Sequence, residues 1–152
     1  MNVFVSYSFN DSELHLLSLL LKKLKEHGYQ IHTPDFYPGN NRFNISQAEL
    51  FIGIMTNNSD SIDEVFEQFS VSQEMGLNYI LLVEKGIKIE SNFNYDYIRF
   101  DRKNPQIAID EIFGLAKNKQ KSSNSASDVL VGVGIVAGIA ALIALLAGGD
   151  KK

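Results

Sequence analysis

Asn2-Val3-Phe4-Val5-Ser6-Tyr7-Ser8 runs without a break into Phe9-Asn10-Asp11-Ser12-Glu13. The first half reads as a strand and the second as a polar turn that opens a helix. Val3, Phe4 and Val5 are apolar in succession, as in a strand covered on both faces. Asn10 followed three residues on by Glu13 has the spacing of a capping box. A helix is expected from there to about His27, with Leu14, Leu17, Leu20, Leu21 and Leu24 on its core stripe. Lys22, Lys23, Lys25 and Glu26 face water, and Gly28 takes the C′ position.

The pattern repeats along the chain. Tyr29 to Thr33 reads as a second strand, closed by Pro34. Asp35 to Asn41 has the chemistry of a loop, and the next segment holds only a short helix near Ile45 to Ala48. Leu50 to Met55 is a third buried strand, left by the polar turn Thr56-Asn57-Asn58-Ser59-Asp60-Ser61. A helix over 61–75 places Ile62, Val65, Phe69 and Ser72 inward and ends at Gly76. Tyr79 to Val83 and Tyr95 to Phe100 are the fourth and fifth strands, with an irregular segment between them. Asn104 and Pro105 open a last helix, as cap and first residue, which docks through Ile109, Ile112, Leu115 and Ala116.

Strands alternating with helices predict a mostly parallel sheet with helices on both faces. Right-handed crossovers leave few topologies. The flavodoxin-like order 2-1-3-4-5 is the commonest for five strands, and its ligand crevice lies between strands one and three. The turns Ser6–Asp11 and Thr56–Ser61 then face each other there, which makes Ser6, Tyr7, Ser8, Asp11, Asn58 and Ser59 the candidate ligand-binding residues. Asn10 and Asp11 also suit a plain helix cap.

Composition narrows the chemistry. The chain has 152 residues, 45% of them hydrophobic, and a net charge of −4. No basic patch interleaved with aromatics points to nucleic acid. There is no cysteine, which excludes thiol catalysis and disulfides. His15, His27 and His32 are scattered without ligand spacing, so no metal site is expected. No phosphate-cradling glycine loop is present. Met1 leads at once into strand and acidic helix rather than a signal peptide, so the expected home of the soluble part is the cytosol.

The average hides two unlike parts. Residues 1–118 are mixed and globular, and 119–128 are small and polar, the composition of a flexible linker. From Val129 to Gly149 no side chain is charged or strongly polar. As a helix this stretch spans about 30 Å, a bilayer core, and residues 150–152 form a short charged tail. It reads as a single-pass transmembrane helix of the inner membrane. Gly134 and Gly138 make a GxxxG, and Ala140, Ala144 and Gly148 place further small residues at every fourth position, faces of the kind that let helices approach closely in lipid.

The set Val3-Phe4-Val5-Ser6-Tyr7-Ser8 with Asp11, then Leu50 to Ser59, then a helix ending at Gly76 before a hydrophobic strand, resembles a TIR domain. It is most similar to the small bacterial TIR-like proteins of antiphage defence, such as the Thoeris type, over residues 2 to about 117. The resemblance implies a flavodoxin-like five-stranded fold. It implies NAD as a substrate rather than a tightly bound cofactor, cleaved at the nicotinamide–ribose bond on oligomerisation and hydrolysed or cyclised. It also implies self-assembly through the loop after strand two, here Pro38-Gly39.

The family's catalytic glutamate, carried over without a gap, falls on Gln68, within Val65-Phe66-Glu67-Gln68. A helix turns ~100° per residue, so Glu67 is no automatic substitute, and a small shift leaves Glu67 or Glu64 as the acid. The expected partners are NAD or a related nucleotide, membrane lipid and a second copy of the chain. Two readings of function stand beside each other. One is a membrane-tethered NAD-cleaving enzyme. The other is an inactive assembly module whose transmembrane helix is the effector or a plain anchor.

Overall fold

The computed structural model describes residues 2–58 and 60–121. Five strands form a single sheet: β1 (Asn2–Ser6), β2 (Gln30–His32), β3 (Leu50–Met55), β4 (Asn78–Glu84) and β5 (Ile98–Phe100). Their order is β2-β1-β3-β4-β5 and every pairing is parallel. Four helices connect or follow them: α1 (His15–Glu26), α2 (Pro38–Ser46), α3 (Ser61–Glu74) and α4 (Pro105–Lys121). α1 packs with α4 on one face, and α2 with α3 on the other. This is the expected flavodoxin-like topology.

The central strands explain the order. All six residues of β3 are buried, as are six of the seven in β4. Strands apolar on both sides need helices above and below. Phe4 and Phe51 stack at 5.9 Å on neighbouring strands, and Phe69 of α3 joins Phe51 at 5.7 Å and Tyr79 at 5.0 Å. Gly53 sets how close α3 comes. A Cβ there would meet Leu81 Cδ2 at 2.9 Å and Val65 Cγ1 at 3.1 Å. Gly28 and Gly76 end α1 and α3 at φ +82° and +70°, where a side chain would be strained.

Several local expectations are corrected. The capping box is not formed. Phe9–Asp11 makes a 3-10 turn instead, and Ser8 Oγ accepts the Asn10 N–H at 3.4 Å. α1 starts at His15 with no side-chain cap, and Leu16 joins its buried stripe. The loop expected at Asp35–Asn41 is half helix, because Pro38 sits at the first position of α2, where its missing N–H costs nothing. Asp35 Oδ1 accepts the Tyr37 N–H at 3.0 Å just before it. Residues that favour turns also favour helix starts, and the sequence pattern alone does not separate the two. Ile62, expected inward, is 41% exposed, whereas Ser61 is buried. β5 is shorter than expected because Tyr95 leaves the strand path to pack edge-on against Phe69 at 4.8 Å.

α4 buries Ala108, Ile109, Ile112 and Phe113. It continues to Lys121, three residues into the stretch expected as linker. The side chains of Leu115 and Ala116 lie outside the described set, as do Ser59 and the whole segment 129–149 with Gly134 and Gly138. Among the described residues, no helix is long and apolar enough to cross a membrane.

Candidate functional site

The turns after β1 and β3 do meet at the carboxyl edge of the sheet, but they bond to each other. Thr56 Oγ1 donates to Asp11 Oδ2 at 2.6 Å, with both residues buried. Thr56 Oγ1 also accepts the Asn58 N–H at 3.3 Å, and Ser61 Oγ accepts the Thr56 N–H at 2.9 Å. The crevice directly above β1 and β3 is thereby filled by protein side chains. Ser8 caps its own turn, and Tyr7 packs partly buried against the core.

The next turn along is braced as well. Asn57 N–H donates to Glu84 Oε1 at 2.9 Å. Arg102 grips the same carboxylate with Nε at 2.8 Å and its terminal nitrogen at 3.0 Å. These bonds from Arg102 hold the Glu84 carboxyl below the usual carboxylate range. Burial opposes them and the Asn57 N–H assists. A fork of two parallel hydrogen bonds is the strong form of such a pair. It ties the ends of β3 and β4 to the turn after β5.

The open cavity lies one step toward β2. It has a volume of about 210 Å³. Phe9 from the first turn, Asp35 and Phe36 from the loop after β2, Arg42 of α2 and Glu64 and Gln68 of α3 line it. Glu67 reaches its rim but is exposed, whereas Glu64 and Gln68 are half-buried. The last two are four residues apart and therefore stacked on one helix face. α3 starts at the carboxyl edge, so Glu64 is the nearer of the two to that edge.

Gln68 is held from below. Ser6, fully buried at the end of β1, donates through Oγ to Gln68 Oε1 at 2.6 Å. The close seat of α3 on Gly53, the residue paired with Ser6 in the neighbouring strand, makes this reach short. With its oxygen engaged by Ser6, the amide keeps the two donors of its nitrogen for a ligand. A carboxylate and an amide donor thus stand one turn apart on the same wall. That pair can accept one hydroxyl, donate to another and place negative charge beside a developing cation.

Of the residues expected from sequence, Glu64, Glu67 and Gln68 line this cavity and Ser6 reaches it through Gln68. Tyr7, Ser8, Asp11 and Asn58 do not line it. Pro38 and Gly39 form the first turn of α2 next to the loop that carries Phe36. Phe36, Asn41 and Arg42 were not singled out in the sequence. All three belong to one stretch of chain, the loop after β2 and the start of α2, and the sequence does not show that this stretch lies against Phe9 and α3.

A larger cavity of about 650 Å³ lies on the other side of α3, lined by Met55, Ile62, Phe66, Ile87, Phe93 and Tyr95 among others. It is bigger, but it lies between α3 and the segment after β4, away from the point where strand order reverses, and its walls mix apolar residues with Asp63, Lys88 and Glu90. The smaller cavity is the one nearer the reversal point, and it carries Glu64 and Gln68 one turn apart on α3. No group of metal-ligating side chains occurs among the described residues.

No known family model matches the chain, and no curated relative matches it. Among solved structures, the chain is similar to the CMP N-glycosidase BcmB of Clostridium botulinum. The TM-score is 0.55 at 19% identity, over 72% of this chain and 99% of that one. It also matches a response regulator receiver domain from Bacillus halodurans with a TM-score of 0.43 at 19% identity, over 72% and 93% of the two chains. The chain has a flavodoxin-like α/β fold. At such identity the first likeness speaks to the fold alone, and the second adds no argument.

Proposed function

We propose that this chain is a TIR-like protein whose soluble domain binds NAD or a related nucleotide in the 210 Å³ cavity and cleaves its N-glycosidic bond, with Glu64 as the acid. The observation that carries this reading is the shared face of Glu64 and Gln68 on α3 inside that cavity. The resemblance of the first-strand and third-strand motifs to TIR domains supports it. So does a fold shared with a protein described as a CMP N-glycosidase.

The chemistry follows from charge. When the bond between the anomeric carbon and the ring nitrogen breaks, the base leaves with the electron pair and the ribose gains oxocarbenium character. A carboxylate beside it stabilises that charge, as in glycosidases. Two unit charges ~4 Å apart at an effective dielectric of 20 interact by roughly 4 kcal/mol, about a thousandfold in rate. Glu64 supplies the charge. Gln68 keeps the hydrogen bonds of the family's glutamate without its charge, and its amide donates to a ribose hydroxyl. Water then adds to the anomeric carbon and loses a proton, or a second group of the same substrate attacks and closes a ring.

The hydrophobic segment 129–149 anchors the protein in the inner membrane, leaving the domain in the cytoplasm. The proposed cellular role is prokaryotic signalling in antiviral defence, with activity rising on self-association.

A second reading is favoured by one observation. Gln68 is neutral and already bonded by Ser6. Under that reading the domain only assembles, through its own surface and the Gly134/Gly138 face, and the membrane helix is the effector.

The test is nicotinamide release from NAD by the full-length chain in liposomes, beside Glu64→Gln, Glu67→Gln and Gln68→Glu. The first reading expects wild-type turnover, abolished by Glu64→Gln and retained by Glu67→Gln. An inert wild type that gains turnover with Gln68→Glu supports the second reading and overturns the first.

A further inference from the structure

Phe36 is 81% exposed, yet it is not loose. Its ring lies flat on Phe9, with centroids 4.5 Å apart and planes 8° from parallel. The two residues come from different loops, the turn after β1 and the segment after β2. The residue before Phe36 is fixed from four directions. Asn41 Oδ1 accepts the Asp35 N–H at 2.6 Å, and Asn41 Nδ2 donates to the Asp35 carbonyl at 3.0 Å. Tyr37 N–H and Asn40 Nδ2 donate to the two Asp35 carboxylate oxygens at 3.0 and 3.3 Å. Burying a phenylalanine side chain stabilises a fold, and this one, left in water, forgoes most of that gain. One face of the ring is stacked, the other is open, and both Phe36 and Phe9 line the cavity that Glu64 and Gln68 share.

We propose that Phe36, backed by Phe9, is the platform on which the cavity stacks the heterocyclic base of its ligand. A preformed aromatic face is sequence-tolerant and suits any planar base. Arg42 complements it on the same cavity. Its guanidinium meets Glu74 at 3.3 Å with both side chains mostly exposed. Exposed pairs of this kind contribute little, so a phosphate can take the place of Glu74. The ligand class is therefore a nucleotide with an aromatic base on Phe36, its sugar against α3 and its phosphate at Arg42. A cavity of about 210 Å³ is below the ~300–1,000 Å³ usual for whole ligands. It takes one nucleoside moiety, and the rest of a dinucleotide lies outside. This assignment rests on the reading that the cavity binds a nucleotide.

The test is equilibrium binding to the full-length chain in liposomes, with AMP, CMP and nicotinamide mononucleotide as probes and ribose 5-phosphate as the base-free control. Phe36→Leu should weaken all three nucleotides about ten- to a hundredfold, the range that stacking on an aromatic supplies, and leave ribose 5-phosphate unchanged. Phe36→Trp should retain or tighten nucleotide binding. Arg42→Gln should weaken nucleotides and ribose 5-phosphate alike. Because Phe36 is exposed, these variants keep the fold, which the far-ultraviolet spectrum checks. Nucleotide binding unchanged in Phe36→Leu overturns the platform while the nucleotide reading stands. Wild type that binds no nucleotide overturns both. Wild type that binds nucleotides through Phe36 without cleaving NAD removes only the proposed catalysis.

Discussion

Thr56 and Asp11 lie 45 positions apart in the chain and share a buried 2.6 Å hydrogen bond across the point where strand order reverses. This bond joins the turns after β1 and β3, occupies the crevice that such folds use for ligands, and displaces the open cavity toward β2. The same hydroxyl accepts the Asn58 N–H, so one side chain organises both turns.

Thr56→Val should therefore destabilise the domain without touching the cavity. It leaves a buried carboxylate oxygen short of its donor, at a cost of about 1–3 kcal/mol. Chemical denaturation should show a lower midpoint at unchanged slope. Binding at the cavity, measured well below the transition, should be preserved.

Gly53→Ala should weaken both stability and function. The added Cβ would press Leu81 at 2.9 Å and Val65 at 3.1 Å, and overpacking of this kind costs about 1–3 kcal/mol. Pushing α3 off the sheet also lengthens the Ser6–Gln68 bond. The expected outcome is a lower Tm together with a turnover loss larger than that of Ser6→Ala, measured in the same nicotinamide-release assay.

The Glu84–Arg102 pair predicts a pH dependence. The carboxyl is held below its ordinary value near 4.5 by Arg102. A depressed folded value means stability that is fully present above the unfolded value and is lost as pH falls through the folded one. The stability difference between wild type and Glu84→Gln should be flat above about pH 5 and shrink on acidification. Arg102→Ala should cost about 1–3 kcal/mol at neutral pH, since it leaves a buried carboxylate without its main donor.

The segment 129–149 predicts membrane partitioning. Full-length chain should stay with the membrane fraction after alkaline carbonate washing, and a chain ending at Lys121 should not. Gly134→Leu with Gly138→Leu should keep the anchoring and reduce cross-linking between copies, because bulk at those positions holds helix backbones apart. Release of the full-length chain by carbonate would remove the anchor.

Period and composition determined most of the architecture. Short apolar runs at Val3–Val5, Leu50–Met55 and Tyr79–Val83, each bounded by polar or turn residues, read as strands covered on both faces. Alternation with amphipathic helices and right-handed crossovers then leaves few topologies, of which 2-1-3-4-5 is the commonest for five strands. Gly28 and Gly76 marked the helix ends because only their backbones reach positive φ freely. These signals are local, or add up along the chain, and so survive in one dimension.

Which polar residues face a cavity was decided only by tertiary structure. Ser6, Ser8 and Asp11 look alike in sequence, as short polar residues in one turn. One reaches Gln68, one caps its own turn and one closes on Thr56, according to partners 62, 2 and 45 positions away. Helical phase puts Glu64, Glu67 and Gln68 on neighbouring positions of α3, but the cavity needs Phe9 and Phe36 to converge from two loops, and no local pattern records that meeting. Local preference selects strands, helices and turns. The long-range packing of α3 on Gly53, and of one ring on another, selects which of their side chains form a site.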